Sequence, residues 1–298
     1  MKKRVIYAAL IIVAVSIGII SYMQLFKSNN AKDQIPRKAA VIDNLAITNP
    51  NSTFFEEVKR VLLDANFSNE DIDYYGYEKV TVNFYRELPK LGYGLIILRV
   101  HSGLLSNVEE CLYTSELINK DALADYLRKD YAIVNSTLPQ TGKHYFGIRP
   151  DFVRSNMEGR FENTIIIAMG CNSCKTESMA KAFVNDKNAK LYMGWNNVVF
   201  ASHTDTQTIR LLELLFKNET VDDAVGAIEP DPISQGRLRY YPLELADFRV
   251  TNLIKSSISQ MKNMRYQDIS LIKTQNQVKS TRRKHSSFFA LLQRFSGA

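Results

Sequence analysis

GLIILRVHSG (residues 94–103) and TIIIAMGC (residues 164–171) are two aliphatic runs, and each ends on a residue able to do chemistry: His101 and Cys171. Neither run alternates apolar with polar residues, as a strand solvated on one face would. Strands of this kind are buried on both faces. When helical patterns separate them, they form a parallel sheet covered by helices on both sides. In open sheets of that class, ligands bind outside the carboxyl ends of the strands. His101 and Cys171 occupy two such ends. The chain therefore supplies a general acid/base and a soft nucleophile on one edge of the sheet, provided the two strands run parallel as neighbours.

The rest of the chain fits around these two strands. Residues 38–47 (KAAVIDNLAI) read as a first strand. Residues 54–66 read as a helix, with Phe55, Val58, Leu62 and Leu63 at helical spacing and Thr53 as N-cap. Residues 73–84 hold a short strand, and 85–91 a helical turn broken by Pro89. A hairpin is expected over 108–118 and a helix over 122–131, followed by an irregular Gly- and Pro-bearing segment up to Arg160. A helix over 176–184, a strand over 189–193 and an amphipathic helix over 206–216 complete the alternation. Beyond residue 249 the pattern gives way to a tail rich in Ser, Gln and Lys. That tail carries a basic cluster (Lys279, Arg282, Arg283, Lys284) and an apolar patch, FFALLQRF, at 288–295. It reads as a partly helical appendage.

Charge is distributed to match this division. The total is +7, of which residues 1–4 carry +3 and residues 251–298 a net +8, leaving −4 on the body between them. A mildly acidic body argues against a nucleic-acid-binding core. Residues 5–26 contain no charge; as a helix they span roughly 33 Å, enough for a hydrocarbon core of about 30 Å. Lys2, Lys3 and Arg4 precede this run, and positive charge stays on the cytoplasmic side. No small-residue cleavage site follows it, so an uncleaved anchor is expected. The expected organisation is a basic stub and signal anchor (1–27), a linker (28–37), an α/β domain (38–250) and a basic tail (251–298). The lipid membrane is then a partner, the body is extracytoplasmic, and oligomeric state is left open.

An aliphatic strand ending in His with Gly close behind, then a later one ending in Cys, resembles the caspase–gingipain–clostripain clan of cysteine peptidases. The segment Lys190–Trp195 (KLYMGW) is similar to the strand and turn that follow the Cys helix in gingipain-like members. The resemblance covers about residues 38–250. It implies a mostly parallel sheet of about six strands sandwiched by helices, a peptide or protein substrate, and no cofactor. It implies that Cys171 is the nucleophile and His101 the general acid, with the oxyanion held by the backbone of Cys171 and of Ser102 or Gly103. Two positions differ from the clan's usual pattern: Ser102 stands between the His and Gly103, and Gly170 precedes the Cys where Ala is usual. The caspase form Q-A-C-[RQG]-G is absent, so a distant relative is the fitting description.

Other readings stand beside this one. Cys171-Asn-Ser-Cys174 is a C-x-x-C between a strand and a helix, the context of a thioredoxin-like thiol–disulfide oxidoreductase with Cys174 as redox partner, and a helix N-terminus there would lower a thiol pKa. A closed zinc site needs four ligands, and no second pair is suitably spaced, so no metal is expected. Trp195 and Asp205 fall where the clan builds its substrate pocket. Asp205 would select a basic residue before the scissile bond, or else cap the 206–216 helix. A catalytically inactive caspase-like binding or scaffold module is the alternative from another class.

Overall fold

The computed structural model describes residues 35–119, 121, 123, 124, 133–138 and 141–251. The signal anchor and the tail beyond residue 251 lie outside the described residues, as does nearly all of the expected helix over 122–131. Among the described residues, no helix is long and apolar enough to cross a membrane.

The main sheet has six strands: β1 (Ala39–Asp43), β2 (Ile72–Tyr75), β3 (Leu95–Arg99), β8 (Ile165–Ala168), β9 (Leu191–Trp195) and β10 (Leu238–Tyr241). They lie in the order β10-β9-β8-β3-β1-β2, and all run parallel except β10 at one edge. The fold is thus mixed α/β on a mostly parallel sheet. From β1 the chain winds outward to β2, then crosses back to place β3 on the other side of β1. The winding reverses between β1 and β3, and a crevice forms at their carboxyl ends.

The unbroken aliphatic runs are buried on both faces, as two-sided coverage demands. Ala40, Ile42, Ile96, Leu98, Ile166 and Ala168 share a core with α2 (Val82–Glu87), α3 (Pro150–Asn156) and α4 (Ser178–Lys181, continued by a π turn over Ala182–Asp186). By strand alternation the residues between them face the other way. There α1 (Phe54–Asp64) packs beside α5 (Ala201–Phe216), with Phe67 edge-on to Phe216 at 5.7 Å. Helix α6 (Val221–Gly226) follows α5.

Three local expectations are corrected. The segment expected to be irregular after residue 131, up to Arg160, holds β6 (Ile133–Leu138), β7 (Lys143–Ile148) and α3; together with β4 (Ser102–Leu105) and β5 (Glu109–Leu117), its two strands form a second, antiparallel sheet in the order β4-β5-β7-β6. Residues 109–117 make one strand of that sheet, not a hairpin, because β4 and β7 flank it on either side. Thr53 makes no side-chain cap; Asn51 Oδ1 instead accepts the N–H groups of Thr53 and Phe54, each at 3.2 Å. The second sheet is tied to α4 by the buried Glu110, whose carboxylate accepts the Thr176 N–H, the Ser178 hydroxyl and the Met179 N–H.

Candidate active site

The β3–β8 register explains why His and Cys stand 70 residues apart. Leu95 pairs with Ile165 and Leu98 with Ala168, and Met169 N–H still donates to Leu98 O at 2.9 Å. Carried past the ends of the ladder, this offset sets His101 level with Cys171. Both line one cleft of about 320 Å³ at the carboxyl edge of the sheet, with Leu45 and Asn49 from beyond β1 and residues 198–201 from beyond β9. The cleft therefore adjoins the crevice where the winding reverses.

His101 is held from three sides. Asn44 Oδ1 accepts its backbone N–H at 3.0 Å, and its carbonyl accepts the Tyr113 N–H at 2.9 Å. Its ring Nε2 lies 2.7 Å from Thr48 Oγ1, which also accepts from Asn49 Nδ2 at 2.8 Å. Burial, helped by the charge of Arg99 nearby, pushes the imidazole down to about 4, so the ring is neutral at pH 7.

Arg99, two residues before His101, is wholly buried. Its Nε and Nη2 reach the two oxygens of Asp205 at 2.8 and 2.9 Å, Nη1 reaches Asp43 at 2.7 Å, and Nη2 also donates to Asn49 O. The hydroxyl of Tyr74 donates to Asp43, and Asn51 Nδ2 to Asp205. This cluster fastens the ends of β1 and β3, the loop carrying Thr48 and Asn49, and helix α5 together. The expectation that Asp205 selects a basic substrate residue is thereby corrected: its carboxylate is buried and spent on Arg99. Nor is it a cap, because the helix begins four residues earlier, at Ala201. Trp195 is likewise buried, its Nε1 donating to Thr204 Oγ1 at 2.9 Å, and it does not line the cleft.

Cys171 is presented by a turn. Asn172 takes a left-handed conformation (φ 54°), which Asn tolerates better than most residues, and its N–H donates to Asn197 O. The buried Ser173 then bridges the ends of β8 and β9, donating to Ala168 O and accepting the Trp195 N–H. The next helix starts only at Ser178, so no helix N-terminus lies at the thiol. Burial raises the Cys171 thiol above its ordinary range, against the opposing effect of the Val199 N–H, which points at Sγ from 3.5 Å. Cys174 is fully buried in the core, and burial lifts its thiol to about 12. Burial thus raises both thiols, and Cys171, the one at the cleft, lacks the depressed pKa of the attacking thiol in a C-x-x-C redox pair. Cys171 and Cys174 are both free thiols.

The two departures from the clan pattern touch each other. A Cβ built on Gly170 would lie 2.2 Å from Ser102 Oγ and 2.4 Å from Val100 O, so the Ser102 side chain fills the space beside Gly170. The Ser102 hydroxyl then donates to Cys171 O at 2.6 Å and fixes the peptide that carries the thiol. Gly170→Ala is expected to lose about 1–3 kcal/mol by overpacking. Adding Ser102→Gly recovers only part of that loss, since the Val100 carbonyl remains. Denaturant midpoints measure both variants; an unchanged midpoint for Gly170→Ala would rule this contact out.

Sequence reasoning missed Asn44, Thr48, Asn49 and Val199. None sits in a recognisable motif, and each reaches the site through a loop beyond a strand end. The runs of Asn and Thr just after the first strand (Asn44, Thr48, Asn49) were the available signal, as short polar side chains that bond locally to backbone and neighbours.

No protein-family model matches the chain, and no curated protein matches it in sequence. Among solved structures it is similar to the Arg-specific cysteine proteinase gingipain R (RGPB), with a TM-score of 0.38 and 10% identity. That match covers 62% of this chain and 38% of the gingipain chain, and it is too slight to carry residue roles across.

Proposed function

We propose that this chain is a cysteine peptidase of distant caspase-like fold, with Cys171 as nucleophile and His101 as the proton carrier. The observation that supports it most is that His101 and Cys171, from two different strands, line a single cleft at the carboxyl edge of the sheet. At rest both groups are neutral. When a peptide carbonyl enters, His101 takes the thiol proton as Cys171 Sγ bonds to the carbonyl carbon. The oxyanion is held by backbone N–H groups at the thiol, those of Cys171 and Val199 being nearest. The C–N bond then breaks, His101 gives its proton to the leaving amine, and water hydrolyses the thioester. The apolar run at residues 5–26 behind three basic residues supports an anchor that holds this body outside the cytoplasm.

A thiol that is neutral at rest gives the reading its test. Peptidyl acyloxymethyl ketones present a carbonyl to the site, whereas iodoacetamide needs a thiolate already formed. At pH 7 a mixture of such ketones is expected to alkylate Cys171 of the full chain at least tenfold faster than iodoacetamide does at equal concentration. Mass-spectrometric mapping reads the site, and Cys174→Ala should leave the rate unchanged. If iodoacetamide were the faster reagent, Cys171 would be a merely reactive thiol, and a binding module would be the better description.

A further inference from the structure

We infer that the cleft beside Cys171 selects an uncharged, apolar side chain of about the size of Leu, Met or Phe on the acyl side of the scissile bond. This rests on the peptidase reading. For Cys171 Sγ to attack a carbonyl, the residue contributing that carbonyl must enter the cleft, and its side chain meets the cleft walls. Those walls are Leu45, Val100, Met169, Val198, Val199 and Phe200, with Asn49 and Thr204 as polar groups beside the reacting pair. Among the described residues, no Asp, Glu, Lys or Arg lines the cleft.

The nearby charges are already engaged. Arg99, Asp43 and Asp205 satisfy one another behind Asn49 and have almost no exposed surface. Asp231, whose charge is felt at Cys171, is buried and spends its carboxylate on the N–H groups of Phe200, Ile233 and Ser234. Those bonds brace the loop whose Val198 and Phe200 stand 46% and 48% exposed at the cleft rim. Large apolar side chains left exposed on a braced loop beside a nucleophile suit an apolar ligand. An Arg, Lys or Asp side chain brought there would give up water with no counter-charge in return. At about 320 Å³ the cleft is at the small end for a ligand site, so it takes one side chain and its backbone.

The test is a panel of acetyl-tripeptide acyloxymethyl ketones, identical except for Gly, Leu, Met, Phe, Asp, Lys or Arg next to the ketone. The rate of Cys171 alkylation in the full chain is read by mass spectrometry. Leu, Met and Phe are expected to react at least tenfold faster than Asp, Lys and Arg, and faster than Gly. Equal or faster reaction with Arg, Lys or Asp overturns the inference while leaving the peptidase reading standing. No alkylation of folded Cys171 by any probe, with alkylation by iodoacetamide after unfolding, overturns both. Val198→Glu, at an exposed rim position, is expected to raise the Arg-probe rate several-fold and lower the Asp-probe rate. Unchanged rates throughout would show that the side chain binds elsewhere and sink the assignment.

Discussion

Arg99→Met lowers the unfolding free energy of this chain by about 3–5 kcal/mol, the cost typical of removing one partner from a buried ion cluster. The loss does not come from an attraction that was large in itself. Asp43 and Asp205 remain buried, now without the cation that offset their desolvation, and the Asn49 carbonyl loses a donor as well. Arg99→Lys keeps the charge but cannot reach both carboxylates with a fork, so it should fall between wild type and Arg99→Met. Adding Asp43→Asn and Asp205→Asn to Arg99→Met should recover a large part of the loss, because no unpaired charge is then buried. Urea unfolding of the full chain measures the series. A change under about 0.5 kcal/mol for Arg99→Met would mean that solvent reaches the cluster, against its near-zero exposure.

That cluster also marks where the sequence stopped being informative. The strands at residues 39–43, 95–99, 165–168 and 191–195 are legible because two-sided burial leaves no polar alternation, and β3 and β8 carry His101 and Cys171 to the same edge. Arg99 breaks one of these runs and reads as an exception. Its explanation lies in Asp205, 106 residues away in the middle of a helix, and no local pattern announces such a partner. The same limit hid the second sheet. Its strands include Glu109, Glu110, Lys143 and His144, residues that strand propensity disfavours or leaves undecided, and β5 finds β7 about 30 residues downstream. Pairing between distant strands overrode the local signal. For the thiol, sequence suggested a helix N-terminus, whereas six residues of turn and bend, 172–177, intervene before α4. The environment is thus a buried neutral one, which changes what catalysis would require of His101.

The largest effect on activity is expected from that pair. Cys171→Ala should reduce peptide hydrolysis by at least about 10⁴-fold, since among the described residues lining the cleft no other nucleophile has comparable softness. Cys174→Ala should keep wild-type turnover once folded. His101→Ala should cost about 10²–10⁴-fold, the usual contribution of one positioned acid/base. The pH dependence distinguishes this site from one with a preformed thiolate–imidazolium pair. His101 must be neutral to accept the thiol proton, and it is held down to about 4, so kcat/KM of the free enzyme should fall only as pH drops towards 4. An ordinary histidine would place that limb near 6.5. On the alkaline side the raised Cys171 thiol stays protonated beyond the ordinary thiol range, so activity should hold well above neutral pH. Thr48→Val deletes the hydroxyl at Nε2 and should shift the acidic limb while leaving the fold intact, because Thr48 acts through the ring it holds. A kcat/KM profile for wild type and Thr48→Val measures both. An acidic limb between 6 and 7 in the wild type would mean that water reaches His101 in the working enzyme, and the neutral-pair mechanism would be abandoned for one in which the imidazolium is already charged.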